Sequence, residues 1–394
     1  MKSVILRAPV LTQSGYGVHS RQVARWLVEK AENNEINLCI QCVPWGDTSW
    51  FVNPDLCEGF VGKMMSYSGK EIKNPDVSFQ VILPNEWDQN LAKMNVGITA
   101  GVEADRCNPA WVQACNEMTH VVFPSHFSAS SFLKVNPSLK EKVSVIPESF
   151  PEVLEEITSK DTEDANEFFE FDTDFNYLIF GQLTGYNTEN DRKNIFNTIK
   201  WICEEHRGDD KVGIVLKTNM GRSTILDFKR LQSVVTTVLN EIGRDGMPDF
   251  YVLHGNMTDD HIKHLYLHSK IRCLVSCTRG EGFGLPILEA AAAGLPIIAT
   301  NWSGHTDYLK GDDFMKVKYD LVPVSKEKID DQIFIQGSRW ANPSEKSFKE
   351  CLRKFRDHPK IFTRRAKSLR AQTIETHKYS NIRKIYETRF GNIL

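Results

Sequence analysis

Residues 271–309 restrict the fold more than any other stretch of the chain. IRCLVSC is a short apolar run of strand length, RGEGFGLP a glycine-rich corner, ILEAAAAG a run of strong helix formers, and PIIAT a second apolar run. Gly280, Gly282 and Gly284 permit a sharp turn and a close approach by another group. Pro286 stands where a first helical residue is favoured, Gly294 stops the helix and Pro296 prevents its restart. Strand, corner, helix and strand in this order belong to an alternating α/β chain with a parallel sheet. A helix opening at such a corner aims unpaired N–H groups and the positive end of its dipole at whatever lies in front of it. The stretch therefore reads as a grip for a phosphate or nucleotide, framed by Glu281 and Glu289.

The same alternation recurs along the chain. Strands are predicted at 3–6, 37–43, 78–83, 119–123 and 142–146, with helices at 21–31, 109–115 and 126–134. Between the first strand and helix, SGYGVHS carries Gly15 and Gly17 but Ser20 where a dinucleotide fingerprint has its third glycine. That incomplete pattern argues weakly for NAD; the plainer expectation is that Gly15 and Gly17 turn backbone N–H groups toward a ligand. Residues 151–175, with ten acidic side chains against Lys160, interrupt the alternation and are the predicted linker. A second strand series follows at 176–180, 212–217, 250–254, 271–276 and 296–299, and the pattern is helical after 343. The expected fold class is α/β, two Rossmann-like doubly wound domains facing across a cleft. A chain of 394 residues is long enough for two such cores.

Composition excludes several classes. A net charge of −3, with 41% hydrophobic and 25% charged residues, describes a globular, water-soluble protein. No secretory apolar segment opens the chain, and no apolar run nears the roughly 20 residues that span a bilayer. Nine cysteines, an odd number, point to a reducing compartment, and cytoplasm is the expected location. Residues 345–370 carry ten basic side chains against three acidic ones, either a solvated helix face or a surface for a polyanion or membrane.

Arg279-Gly-Glu-Gly-Phe-Gly-Leu-Pro-Ile-Leu-Glu289, with seven residues between its glutamates, resembles the Glu-x7-Glu signature of family-4 retaining glycosyltransferases of the GT-B fold. SGYGVHS resembles the family's first glycine loop. Residues 101–127, 253–266 and 338–344 are similar to further segments, so the resemblance covers nearly the whole chain. It implies an acceptor-side domain at 1–165, to which 375–394 cross back, and a donor-binding domain at 171–374. It also implies a nucleotide-sugar donor, a glycan or lipid-linked saccharide as acceptor, and no cofactor or essential metal. A hydroxymethylated base in nucleic acid is a less favoured acceptor, and peripheral membrane contact is compatible with the basic stretch.

Residue by residue, the resemblance makes Lys193 a cation for the departing diphosphate, with Arg192 beside it. The family's arginine near the preceding strand end is replaced by Gln182, so either Arg192 supplies the second charge or the grip is weaker. Lys217 is a further donor contact or an ordinary strand-end lysine. Glu289 matches the carboxylate that binds the ribose hydroxyls, Glu281 the one that contacts the transferred sugar. The N–H groups of Gly282, Phe283, Gly284 and Leu285 are expected to face sugar and phosphates, and Gly15 and Gly17 the diphosphate. Glu103 and Asp105 are acceptor-side candidates, with His19 and His126 behind them. The family histidine after a mid-domain strand has no counterpart at Asn85-Glu86-Trp87.

Three other patterns carry alternatives. Asp172-Thr-Asp174 has the form of a metal-binding triplet but lies in the acidic stretch. His261, His264 and His268, near Cys273 and Cys277, have spacing that zinc could use, although packed histidines and buried cysteines are the plainer reading. Cys39 and Cys42 lack the second pair a zinc knuckle requires. A dinucleotide-dependent oxidoreductase or epimerase and a non-catalytic nucleotide-sugar binder remain the alternative classes.

Overall fold

The computed structural model describes residues 1–185 and 187–394. Two compact units divide the chain: Met1–Ser149 with Asp330–Ser338 and Tyr379–Leu394, and Phe150–Ile329 with Arg339–Lys378.

In the first unit β1 (Lys2–Ala8), α1 (Gly15–Glu32), β2 (Ile36–Cys42), α2 (Phe60–Ser68), β3 (Val77–Val81), β4 (Met94–Ile98), α3 (Pro109–Glu117), β5 (His120–Phe123), α4 (His126–Leu133) and β6 (Val143–Val145) follow one another. The six strands form one parallel sheet in the order β2-β1-β3-β4-β5-β6. The central strands β1, β3 and β4 are buried on both faces, as helix-covered parallel sheets require, and the polar Ser78, Gln80 and Asn95 within them hydrogen-bond to one another and to nearby carbonyls.

The second unit contains α5 (Ser159–Phe168), β7 (Phe175–Phe180), α6 (Ile195–Glu205), β8 (Val212–Thr218), α7 (Ile225–Ile242), β9 (Asp249–His254), α8 (Asp259–Leu267), β10 (Ile271–Ser276), α9 (Leu285–Ala293), β11 (Ile297–Thr300) and β12 (Met315–Val317). After these come an antiparallel hairpin, β13 (Tyr319–Pro323) and β14 (Arg339–Pro343), and then α10 (Glu345–Asp357) and α11 (Pro359–His377). Its parallel sheet runs β12-β11-β10-β7-β8-β9. The last helix, α12 (Tyr379–Phe390), belongs to the first unit, where Ile382, Tyr386 and Phe390 complete the core around Trp26 and Phe79. Trp26 Nε1 donates to Glu387 at 2.9 Å, and Lys30 Nζ pairs with the same carboxylate at 3.0 Å.

Three local readings of the sequence differ from this structure. The first unit ends at Ser149 rather than at 165. The reason lies in the acidic stretch, which is no bare linker: Thr158 and Asp161 form a capping box that opens α5. That helix belongs to the second unit, where Asp161 pairs with Lys263 of α8 at 2.6 Å and Asn166 accepts from the Ser269 amide. Second, α1 begins at Gly15 rather than at 21, because Ser14 caps it by accepting from Gly17 N at 3.0 Å. Third, the basic stretch is not one open face. Lys349 pairs with Glu204, Arg353 with Glu205 and Arg356 with Asp209, while Arg370 donates to the Leu154, Glu155 and Ala292 carbonyls.

Candidate active site

In open α/β sheets a ligand binds beyond the carboxyl ends of the strands, where the strand order reverses. In the second unit the reversal falls between β7 and β10, which are neighbours in the sheet while their chain continuations diverge. The two segments leaving that point are 181–194 and 277–284, and they carry the cationic and anionic residues picked out in the sequence.

The glycine corner is fixed from behind. Gly284, with φ of +96°, is the left-handed residue that opens α9, and Gly294, with φ of +78°, closes it. The Glu281 amide donates to Ser303 Oγ at 2.9 Å, and the Gly304 amide donates back to Glu281 O at 2.9 Å. A Cβ on Gly304 would stand 2.1 Å from Gly282 O, so only glycine lets the 303–304 turn lie this close. Tyr308 hydroxyl donates to Gly284 O at 2.8 Å, and the Phe283 ring is buried against Tyr308. Phe283 thus contributes its backbone, not its ring, to the front of the corner.

Lys193 Nζ lies 2.6 and 2.8 Å from the two carboxylate oxygens of Glu281. Arg192 donates to Gly280 O at 2.6 Å and approaches Glu281 Oε2 at 3.6 Å. Burial by itself would raise the Glu281 carboxyl, but Lys193 first and Arg192 second outweigh it and hold the group at about 2. The corner therefore has a fixed carboxylate with two cations gathered on it. Gln182, by contrast, is exposed.

Asp191 orients these cations and escaped the reading of the sequence. It is fully buried and accepts from Thr184 Oγ1 at 2.8 Å, Lys193 N at 3.2 Å and Ile195 N at 2.6 Å. It lies three residues ahead of Asn194, the N-cap of α6, and accepts from that helix's first amide, a contact that no N-cap spacing in the sequence marks. Arg279, buried under Trp340, fastens the opposite side by donating to Asn342 Oδ1 at 2.8 Å and Thr188 O at 3.0 Å.

Glu289 faces another way. Its Oε2 accepts from Tyr266 hydroxyl at 3.0 Å, and burial pushes the carboxyl up to about 8 despite that bond. Lys217, at the end of β8, is buried; its Nζ donates to Gly255 O at 2.6 Å and Asn219 Oδ1 at 2.8 Å, and burial lowers it to about 8. Its contacts are with neutral oxygens.

The remaining candidates belong to the first unit. Gly17 N is occupied by Ser14 Oγ, and a Cβ at this position would meet Thr12 O at 2.0 Å. Gly17 is thus required for packing, and its N–H donates within the cap; Gly15, the first residue of α1, is exposed. Glu103 and Asp105 are half-buried beyond β4, and His126 is exposed at the start of α4. His19 is buried, 3.3 Å from Tyr386 hydroxyl and 3.9 Å from Glu148, and burial depresses it to about 4.

The alternative motifs find ordinary partners. His261 stacks on Phe168, His268 Nε2 lies 3.0 Å from Phe169 O, and Cys273 and Cys277 are buried. Lys270 pairs with Asp174 at 3.6 Å. Among the described residues no group of three His, Cys, Asp or Glu side chains is placed to hold a metal ion, and no helix is long and apolar enough to cross a membrane.

Residues 241–333 match the family model described as glycosyl transferases group 1, a segment that contains the whole glycine corner. The chain has the GT-B fold of glycosyltransferases, two Rossmann-like units. Among solved structures it is similar to Anabaena Alr3699/HepE in complex with UDP and glucose, at 10% identity over 100% of both chains with a TM-score of 0.63. The UDP-forming α,α-trehalose-phosphate synthase from Burkholderia xenovorans aligns at 10% identity over 100% of this chain and 99% of its own, with a TM-score of 0.65. WaaG, a glycosyltransferase involved in lipopolysaccharide biosynthesis, aligns at 12% identity over 98% and 99%, with a TM-score of 0.58. No curated protein matches the chain by sequence.

Proposed function

We propose that this protein transfers a sugar from a nucleoside-diphosphate sugar to an acceptor hydroxyl, with retention of configuration and without a metal ion. The observation that carries the reading is the Lys193–Glu281–Arg192 cluster at the strand-order reversal, directly before the N-terminus of α9. A departing diphosphate needs positive charge placed where its own charge develops. Lys193, Arg192 and the opening turn of α9 supply it, with Lys217 as a further cation. Glu289 and Tyr266 receive the ribose hydroxyls, and Glu281 receives hydroxyls of the transferred sugar. UDP sugars are the first donors to test, since HepE was solved with UDP and glucose and the trehalose-phosphate synthase is described as UDP-forming.

In the proposed step the acceptor oxygen bonds to the anomeric carbon on the face from which the diphosphate leaves. The anomeric carbon–oxygen bond breaks, and a donor phosphate oxygen takes the acceptor proton. Products are the glycoside and the nucleoside diphosphate. Glu281, ionised and bound through both oxygens to Lys193, suits a positioning anion better than a nucleophile. The acceptor class we favour is a glycan or lipid-linked saccharide. Nine free cysteines support a cytoplasmic setting.

A panel of UDP and GDP sugars tests the proposal through thermal stabilisation and slow donor hydrolysis, followed by NMR assignment of the product anomer with and without EDTA. An α-linked product from an α-linked donor, formed equally in EDTA, is expected. No stabilisation by any nucleotide sugar or nucleoside diphosphate would defeat the reading.

A further inference from the structure

The sheet of the first unit ends in β6, whose outer side no further strand covers. On its inner side β6 pairs with β5: the Val121 amide donates to Lys142 O at 3.0 Å, and the Ile146 amide to Phe123 O at 2.9 Å. In a parallel ladder successive residues turn their N–H and C=O groups to opposite sides. Lys142, Ser144 and Ile146 therefore serve β5, and Val143 and Val145 turn theirs to the open edge. Among the described residues no hydrogen-bond partner meets these outward groups. The facing wall is α12, whose Lys384, Ile385, Thr388 and Arg389 share one face of the helix. Strand and helix enclose a groove of about 830 Å³, in which Ile385 is 38% exposed. An open strand edge beside a helix is the geometry to which an extended segment adds as a further strand.

Charge narrows the occupant. The charged residues lining the groove are Lys140, Lys384 and Arg389 against Glu141, all exposed. None of the three cations makes an ion pair among the described residues. Lys142 is engaged, donating to Asn116 O at 2.6 Å and Met118 O at 3.1 Å. Arg383 and Glu387 of α12 pair with Glu29 and Lys30. Burial first, then the charges of Arg389 and Lys142, hold His120 below its usual range, so it adds no charge at neutral pH. The groove is thus left with an excess of positive charge. Lysines on a short edge discourage apolar strands, so an added strand has to bring the opposite charge. A second copy of this chain would bring the same three cations to a two-fold contact. A phosphodiester has no N–H for the outward carbonyls of Val143 and Val145, whereas a protein main chain both donates and accepts at the spacing of a strand.

We propose that the groove between β6 and α12 docks an extended acidic segment of a partner protein, added to β6 as a further strand. Its carboxylates meet Lys140, Lys384 and Arg389, and an aliphatic side chain meets Ile385. The inference is independent of the glycosyl-transfer reading. Fluorescence anisotropy on the full-length protein measures binding of a labelled peptide of alternating glutamate and valine, about eight residues long. Its controls are a lysine–valine counterpart, the acidic peptide N-methylated at alternate backbone nitrogens, and a thymidine oligonucleotide. The acidic peptide is expected to bind and to slow amide exchange at Val143 and Val145. The double variant Lys384→Glu with Arg389→Glu, and N-methylation of the peptide, should each weaken binding at least tenfold. Both substitutions lie on the exposed face of α12, so the fold is retained and donor hydrolysis should stay within twofold. Unchanged affinity in the double variant or for the N-methylated peptide would overturn the proposal. So would no binding of the acidic peptide at millimolar concentration, or tighter binding of the lysine peptide or the oligonucleotide. Self-association of the wild type that excludes the peptide, seen by sedimentation, would assign the edge to a second copy and overturn it as well.

Discussion

Removing the Lys193 charge tests the corner most directly. An unperturbed glutamate titrates near 4.5, whereas Glu281 is held at about 2. That difference corresponds to roughly 3 kcal/mol in favour of the ionised folded form. Because the folded value lies below the unfolded one, this stabilisation is complete above about 4.5 and disappears as pH falls toward about 2. Lys193→Met leaves a buried carboxylate with Arg192 at 3.6 Å as its remaining close cation. At pH 7 the expected cost is about 3 kcal/mol, as for other broken buried pairs. Glu281→Gln should cost less, about 1 kcal/mol, since Lys193 and Arg192 retain some contact with water. The double variant should then recover at least about 2 kcal/mol of the summed losses. Urea unfolding of the four proteins at pH 7 measures the cycle, and additivity within about 0.5 kcal/mol would refute the coupling.

The same variants separate binding from transfer. Glu281 pairs with the ammonium that an incoming diphosphate must share. Calorimetry should therefore show Lys193→Met weakening nucleoside diphosphate at least tenfold, while Glu281→Gln binds it as well as wild type or better. Glu281→Gln should nevertheless lose most of its sugar transfer. Full turnover by that variant would remove the role assigned to the side chain.

Three further perturbations probe the supports. Asp191→Asn places an amide N–H₂ against donors that now converge on a carboxylate; a stability loss of about 2 kcal/mol is expected, and donor KM should rise while acceptor KM stays level. Gly304→Ala forces a methyl within 2.1 Å of Gly282 O, so the corner must open and nucleotide affinity should fall more than tenfold; an unaltered dissociation constant would contradict the packing argument. Burial holds Glu289 protonated up to about 8, so loss of its proton creates the ribose acceptor. Lys217 loses its charge in the same range, so nucleotide affinity is expected to fall from pH 7 to 9 in Glu289→Gln and to fall less, or rise, in wild type, and equal slopes would count against the ribose role.

How much of this was legible in the chain depends on the range of the interaction. The strands and α9 were readable because continuous apolar runs and a Pro-to-Gly frame are local signals. The start of α1 was hidden because glycine lowers helix propensity on average, and the cap from Ser14 to Gly17 overrides that average. The acidic stretch did carry a readable Thr-x-x-Asp box at 158–161, but its ten acidic side chains masked it. At the site, the glutamates and Lys193 were identifiable by motif, yet their pairing was not. Residues 193 and 281 meet only because β7 and β10 become neighbours in the sheet. Gly304 and Tyr266 act through tertiary contacts that no periodicity or spacing encodes.

The exchange of an arginine for Gln182 then acquires a physical meaning that can be tested. Gln182 is exposed two residues beyond β7, whereas Arg192 reaches Glu281 from the far end of the same segment. Arg192 also donates to Gly280 O, beside Thr278 Oγ1, a contact that a cation placed at 182 would not replace. Arg192→Ala should therefore cost both affinity for nucleoside diphosphate, about tenfold, and some stability. Arg192→Lys should restore the charge without the full brace. Adding Gln182→Arg to Arg192→Ala should recover affinity but not the full stability, because the Gly280 carbonyl would keep Thr278 Oγ1 at 3.1 Å but lose its charged donor. If the added arginine restores neither quantity, the charge at 192 cannot be replaced from 182, and the carbonyl brace becomes the primary role of Arg192.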